Sequence, residues 1–125
     1  MIGGNIFVVA RNLIDGKDLE ACAVADKYTS PRAWLGMKLD ASKSVMGVKL
    51  APRIDCCPEQ GQNVKVQVGN SMAYDANDPV CITIDQLEGA GLKYYSCDNV
   101  YEGQYVILSN DNSYLTICEA QVLTS

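Results

Sequence analysis

The chain has 125 residues, 48% hydrophobic and 20% charged, a globular composition long enough for one domain with its own core. Its net charge of −5 argues against nucleic-acid binding, and no run approaches the roughly 20 apolar residues of a membrane-spanning helix. Histidine is absent, which removes His triads, His general bases and His metal ligands and leaves carboxylates, Lys, Tyr or Cys for any chemistry.

The first apolar run is "NIFVVA", followed by "RNLIDGKDLEA", which has room for one short helical turn. After the "SPR" break come "AWLGMKL", a turn at "DASKS", and "SVMGVKLAP", in which Met46, Val48 and Leu50 alternate onto one face. "PEQGQN" is a second turn. "VKVQVG" then places Val64, Val66 and Val68 on one face and Lys65 and Gln67 on the other. "VCITI", "LKYYSC", "QYVILS" and "YLTICEAQVL" complete the strands, separated by "DANDP", "EGAG" and "SNDNS". Seven or eight short strands without intervening helices predict an all-β fold, an antiparallel sandwich or jelly roll, as a single domain over residues 1–125.

Six cysteines stand at 22, 56, 57, 81, 97 and 118, with no CxxC pair. That spacing favours disulfides over zinc and places the protein in an oxidising compartment, as a secreted domain whose signal segment has been removed. The stretch "RIDCC" has a plain reading, in which Arg53 and Asp55 form a surface ion pair beside cysteines bonded elsewhere. Its functional reading is recognition. Arginine offers a planar fork of donors suited to vicinal hydroxyls, with a nearby carboxylate to orient it. A Cys56–Cys57 bridge would add a rigid apolar knob that packs on the hydrocarbon face of a sugar.

Here the chain resembles the F-type lectins, or fucolectins, which share a galactose-binding-like jelly roll with discoidin-type domains. "NLIDG" resembles the family's "NAIDG" element. "SPRAWLGMKLDASKSVMGVKLAPRIDCC" resembles its proline–tryptophan element, "VDL" strand and "NRGDCC" segment. "VKVQVGNS" and "GQYVILSNDNSYLTICEAQV" resemble its following strand and its closing strands. The resemblance runs from about Asn12 to Val122 and implies three disulfides: Cys22–Cys118, Cys81–Cys97 and Cys56–Cys57. It also implies a sugar site of one His and two basic residues, in which Arg53 and Asp55 match the central Arg-x-Asp. The His position falls on Val24 and the second basic position on Gln60, so the implied site is remodelled. Val24 donates no hydrogen bond, and Gln60 bonds without charge.

The resemblance further implies a structural Ca2+. Side chains of Asn12, Asp15 and Glu119 would hold it together with the carbonyls of Lys17, Ala21 and Cys118, an oxygen set suited to a hard cation. The Gly16–Cys22 segment and the N-terminus are both shorter than is usual in the family. The expected function is non-catalytic recognition of fucosylated or related glycans, without nucleic-acid or membrane partners. The alternative is a protein-recognition or adhesion module on the same scaffold that has lost fucose binding. Trp34 reads as core, and Asp75 and Asp78 read as a solvated turn rather than a glycosidase pair.

Overall fold

The computed structural model describes residues 6–10, 23–26, 32–71, 74–111 and 114–124. Within them are eight strands: β1 (Ile6–Ala10), β2 (Ala23–Asp26), β3 (Ala33–Ala51), β4 (Gln62–Gly69), β5 (Val80–Gln86), β6 (Lys93–Asn110), β7 (Tyr114–Ile117) and β8 (Glu119–Thr124). A short 3-10 turn at Pro58–Gly61 sits between β3 and β4.

All pairing is antiparallel. One sheet runs β1-β3-β6-β4-β5, and β2 and β7 form a second, two-stranded sheet. β6 lies along nearly the whole of one edge of β3. The other edge is shared end to end, with β1 opposite Leu35–Leu39 and β8 opposite Val45–Ala51. Ala25, Leu115 and Ile117 of the small sheet join Leu35, Leu50, Val64, Val66 and Leu108 of the large one in a single buried cluster. Each large aliphatic side chain so buried contributes roughly 1.5–3 kcal/mol. The all-β sandwich expected from the strand pattern is the fold observed.

Three local expectations are corrected. "DASKS" is not a turn between two strands, because β3 runs through it as one 19-residue strand. The pairing with β6 shifts register between Lys38 and Lys43, so the polar residues are accommodated by an irregularity without ending the strand. Met46 does not point inward with Val48 and Leu50. A second register shift between Val45 and Gly47 buries Val45 and leaves Met46 36% exposed. Gln67 was expected on a solvent face, yet it is fully buried, with its Nε2 donating to the carbonyls of Asp75 and Asp78 in the loop folded over β4. The two loop carbonyls take both protons of the Gln67 amide, which makes burial of that nitrogen tolerable.

Trp34 is buried, as expected. "YLTICEAQVL" divides into β7 and β8 at Cys118, whose N–H donates to Ala51 O at 2.8 Å.

Candidate functional site: the Pro52–Gly61 loop

β3 ends at Ala51, and Pro52 follows with no N–H to continue the ladder. The chain then turns through Arg53–Cys57 into the 3-10 turn, and β4 begins at Gln62. Two contacts fasten the loop to the far end of β5: Leu87 N–H donates to Gly61 O at 2.8 Å, and Gln86 Nε2 donates to Pro58 O at 2.9 Å. Gly61 is buried against the Leu87 side chain, which a Cβ would crowd at 3.2 Å.

Arg53 and Asp55 form a bidentate pair. Arg53 Nε donates to Asp55 Oδ1 at 2.9 Å, and a terminal nitrogen, Nη2, donates to Oδ2 at 3.0 Å. This arrangement fixes the plane of the guanidinium. The Arg53 hydrogen bond holds the Asp55 carboxyl down to about 2, while the same contact raises the Arg53 pKa. The remaining terminal nitrogen, Nη1, donates to Gln60 Oε1 at 3.3 Å. Nη1 and Nη2 each carry a second N–H beyond these bonds.

Cys56 and Cys57 are bonded to each other, as expected. Cys57 takes a left-handed backbone conformation (φ 64°, ψ 54°), unusual for a side chain with a Cβ, and its carbonyl accepts the Gln60 N–H at 3.0 Å. Ile54 at the loop tip is 72% exposed. Beside the bridge lies a concavity of about 330 Å³ lined by Arg53, Ile54, Cys56, Cys57, Leu87 and Gly89, among others. Its walls mix apolar surface with guanidinium donors, and its size is at the low end for small-molecule sites.

The two departures from the family pattern meet in space. Gln60 Oε1 also accepts from the Thr116 hydroxyl at 2.6 Å, and Thr116 stands opposite Val24 in the β2–β7 ladder. Asn110 Nδ2 donates to the Gln60 carbonyl at 3.5 Å and the Tyr114 carbonyl at 3.1 Å, tying the turn to the start of β7. Thr116 and Asn110 were not legible as site residues. The only sequence signal was a polar side chain between Leu115 and Ile117 in an otherwise apolar run.

The second expected bridge, Cys81–Cys97, is present. Cys118 is disulfide-bonded as well, and its expected partner Cys22 lies outside the described residues. Of the expected calcium ligands, Asn12, Asp15, Lys17 and Ala21 also lie outside them. Glu119 is exposed at the start of β8. Among the described residues no three Asp, Glu or Cys side chains cluster as metal ligands. Asp75 is exposed and binds the Asn77 N–H at 2.9 Å, whereas Asp78 is half-buried over Gly69.

Residues 12–108 match the F5/F8 type C family of NedA-like, galactose-binding domains. The chain belongs to this family. Fucolectin-5 of Anguilla japonica is 26% identical over 125 residues, covering 96% of this chain and 66% of that protein. The fucolectin of striped bass (Morone saxatilis) serum superposes with a TM-score of 0.72 at 24% identity, over 97% of this chain and 46% of that one. A Clostridium perfringens module in complex with GalNAc-β-1,3-galactose gives 0.70 at 12% identity, over 95% of each chain. The chain spans just under two thirds of the curated fucolectins, 66% of fucolectin-5 and 64% of fucolectin-1. The F-type lectin resemblance and the galactose-binding-like fold both hold. The expectation of a non-catalytic domain agrees with relatives that are lectins and binding modules. Among the described residues no helix is long and apolar enough to cross a membrane.

Proposed function

We propose that this domain is a secreted, non-catalytic carbohydrate-binding module that recognises fucosylated or related glycans at the Pro52–Gly61 loop. The observation that carries the reading is the Arg53 guanidinium, held flat by Asp55 beside an exposed vicinal disulfide. A fixed donor fork meets vicinal hydroxyls, and the bridge with Ile54 offers an apolar surface to the ring's C–H face. Val24 and Gln60 remodel the site away from ordinary fucose binding. Hydrogen bonds to charged groups are worth about 1.5–3 kcal/mol, so a neutral Gln60 changes which hydroxyls are favoured. The names of the fucolectin relatives, and a neighbouring lectin domain solved with Lewis B antigen, support a fucose-bearing ligand. The disulfides support an oxidising, extracellular setting.

A structural Ca2+ held by Asn12, Asp15, Glu119 and the carbonyls of Lys17, Ala21 and Cys118 is part of the proposal. Its support is the all-oxygen donor set and the exposure of Glu119. A melting temperature unmoved by chelator refutes the ion.

A second reading, a protein-recognition or adhesion module, is favoured by the 72% exposure of Ile54. A glycan array, run with and without chelator, separates the two. Saturable binding abolished by Arg53→Ala supports the lectin. A blank array, with no fucose binding gained by a Val24→His, Gln60→Arg double variant, leaves the protein-binding module.

A further inference from the structure

We infer that the Cys56–Cys57 bridge is a site of thiol–disulfide exchange, opened by a dithiol without unfolding the domain, and that its redox state switches glycan binding at the loop. The inference rests on the carbohydrate-binding reading above.

The bridges differ in access. Cys56 is exposed, Cys57 is half-buried, and both line the concavity of about 330 Å³ beside the loop. A thiolate reaches Cys56 Sγ from solvent, and Cys57 Sγ leaves into open space. Cys81 is fully buried, and Cys97 packs against the core. Attack at Cys81 is therefore closed, and attack at Cys97 expels the Cys81 thiolate into apolar surroundings, which disfavour its charge.

The exchange needs a dithiol as reductant. One of its thiolates bonds to Cys56 Sγ as the Cys56–Cys57 bond breaks, and Cys57 leaves as a thiolate that takes up a proton. The second thiolate of the reductant then attacks the reductant's own sulfur in the mixed disulfide, and Cys56 is released and protonated. The dithiol gives up two electrons and two protons and becomes a disulfide. The bridge takes them and becomes two thiols.

Opening this bridge frees no length of chain, because the bonded residues are adjacent. The loop stays fastened where Leu87 N–H donates to Gly61 O and Gln86 Nε2 donates to Pro58 O. The change is local. Cys57 sits at φ 64°, ψ 54°, a left-handed conformation that side chains with a Cβ rarely adopt, and the opened chain is free to leave it. Its carbonyl accepts the Gln60 N–H, and Gln60 Oε1 in turn accepts from Arg53 Nη1. The bridge is thus coupled through Gln60 to the guanidinium, besides being itself the apolar knob.

The test titrates the oxidised domain with dithiothreitol. Binding to the best glycan of the array and the melting temperature are read at each point, and a parallel sample is trapped with iodoacetamide and mapped by mass spectrometry. Cys56 and Cys57 are expected to be alkylated first, with Cys81, Cys97 and Cys118 still bridged. The melting temperature stays within about 3 °C. Binding falls about tenfold and returns on reoxidation. A Cys56→Ser, Cys57→Ser variant binds like the reduced parent and does not respond to the same dithiothreitol. Opening of Cys81–Cys97 first, or a collapse of the melt as Cys56–Cys57 opens, overturns the inference. Full binding with only Cys56 and Cys57 reduced overturns the switch and leaves the lectin reading standing. An oxidised domain that binds no glycan removes that reading, and the switch with it.

Discussion

Arg53 and Asp55, two residues apart, share two parallel hydrogen bonds at 2.9 and 3.0 Å, and that pairing sets how the loop responds to acid. The Asp55 carboxyl lies at about 2 against an ordinary 3.8, chiefly because Arg53 donates to it. A carboxyl depressed in the folded state contributes its stabilisation above its unfolded value and loses it as pH falls through the folded one. Glycan binding, a property of the folded state, is therefore expected to be flat between about pH 5 and 8 and to decline only as pH falls toward about 2, where Asp55 takes up its proton. Calorimetric titration across that range checks it. An inflection near pH 6.5, the ordinary histidine range, contradicts a site built on this pair.

The two bridges within the described residues differ in purpose. Cys81–Cys97 closes a span of 16 residues and anchors β5 to β6. In the chain-entropy model its loss costs about 3 kcal/mol, so a Cys81→Ser, Cys97→Ser variant melts well below the parent. Cys56–Cys57 closes almost no loop. Its double serine variant is expected to keep the parent's unfolding free energy, measured in urea, within about 0.5 kcal/mol and to lose glycan binding. Equal binding by that variant removes the bridge from the recognition surface.

Asp78 is held against Gly69 with one carboxylate oxygen buried and no hydrogen-bond partner for it. Burial first, and then the neighbouring Asp75, raise its pKa. A raised carboxyl favours the fold below 3.8 and costs stability as pH rises through the folded value. Asp78→Asn should accordingly stabilise the protein at neutral pH, by about 1 kcal/mol for removal of a desolvated charge beside Asp75, and lose that advantage in acid. Urea unfolding at neutral pH and below pH 3.8 tests the sign.

Gly103 of β6 packs directly on the backbone of β4. A Cβ there would stand 2.7 Å from Gly69 O and 2.8 Å from Val68 Cγ1. Neither neighbour is a flexible side-chain end, so Gly103→Ala forces strands apart and is expected to cost about 1–3 kcal/mol. An unchanged denaturation midpoint shows that the sheet gives way more easily than its packing implies.

Much of the fold was legible because burial follows strand alternation where nothing interrupts it. Val64, Val66 and Val68 all lie in the core, as their period-two spacing requires. The misreadings occur where long-range contacts override local pattern. Asp40–Ser44 has turn chemistry, yet pairing across β3 and β6 carries the strand through it. Met46 faces out because a bulge changes which side the chain presents. Gln67 is buried by a loop that no local pattern announces. At the site, Arg53, Asp55 and the paired cysteines were readable because they are neighbours in sequence. Thr116 was not, since its partner Gln60 is 56 residues away.

The Pro52–Gly61 loop leaves β3 where that strand is paired on both edges, to β6 and β8, and enters β4 where Gln62 is paired to β5, with β6 joining on the other edge from Lys65. Its two feet are therefore fixed by ladders to which the residues between them contribute little. Such a span is open to revision. Residues at its crest, such as Ile54, can be exchanged without disturbing the register of any strand, and one sandwich core can carry many different recognition faces.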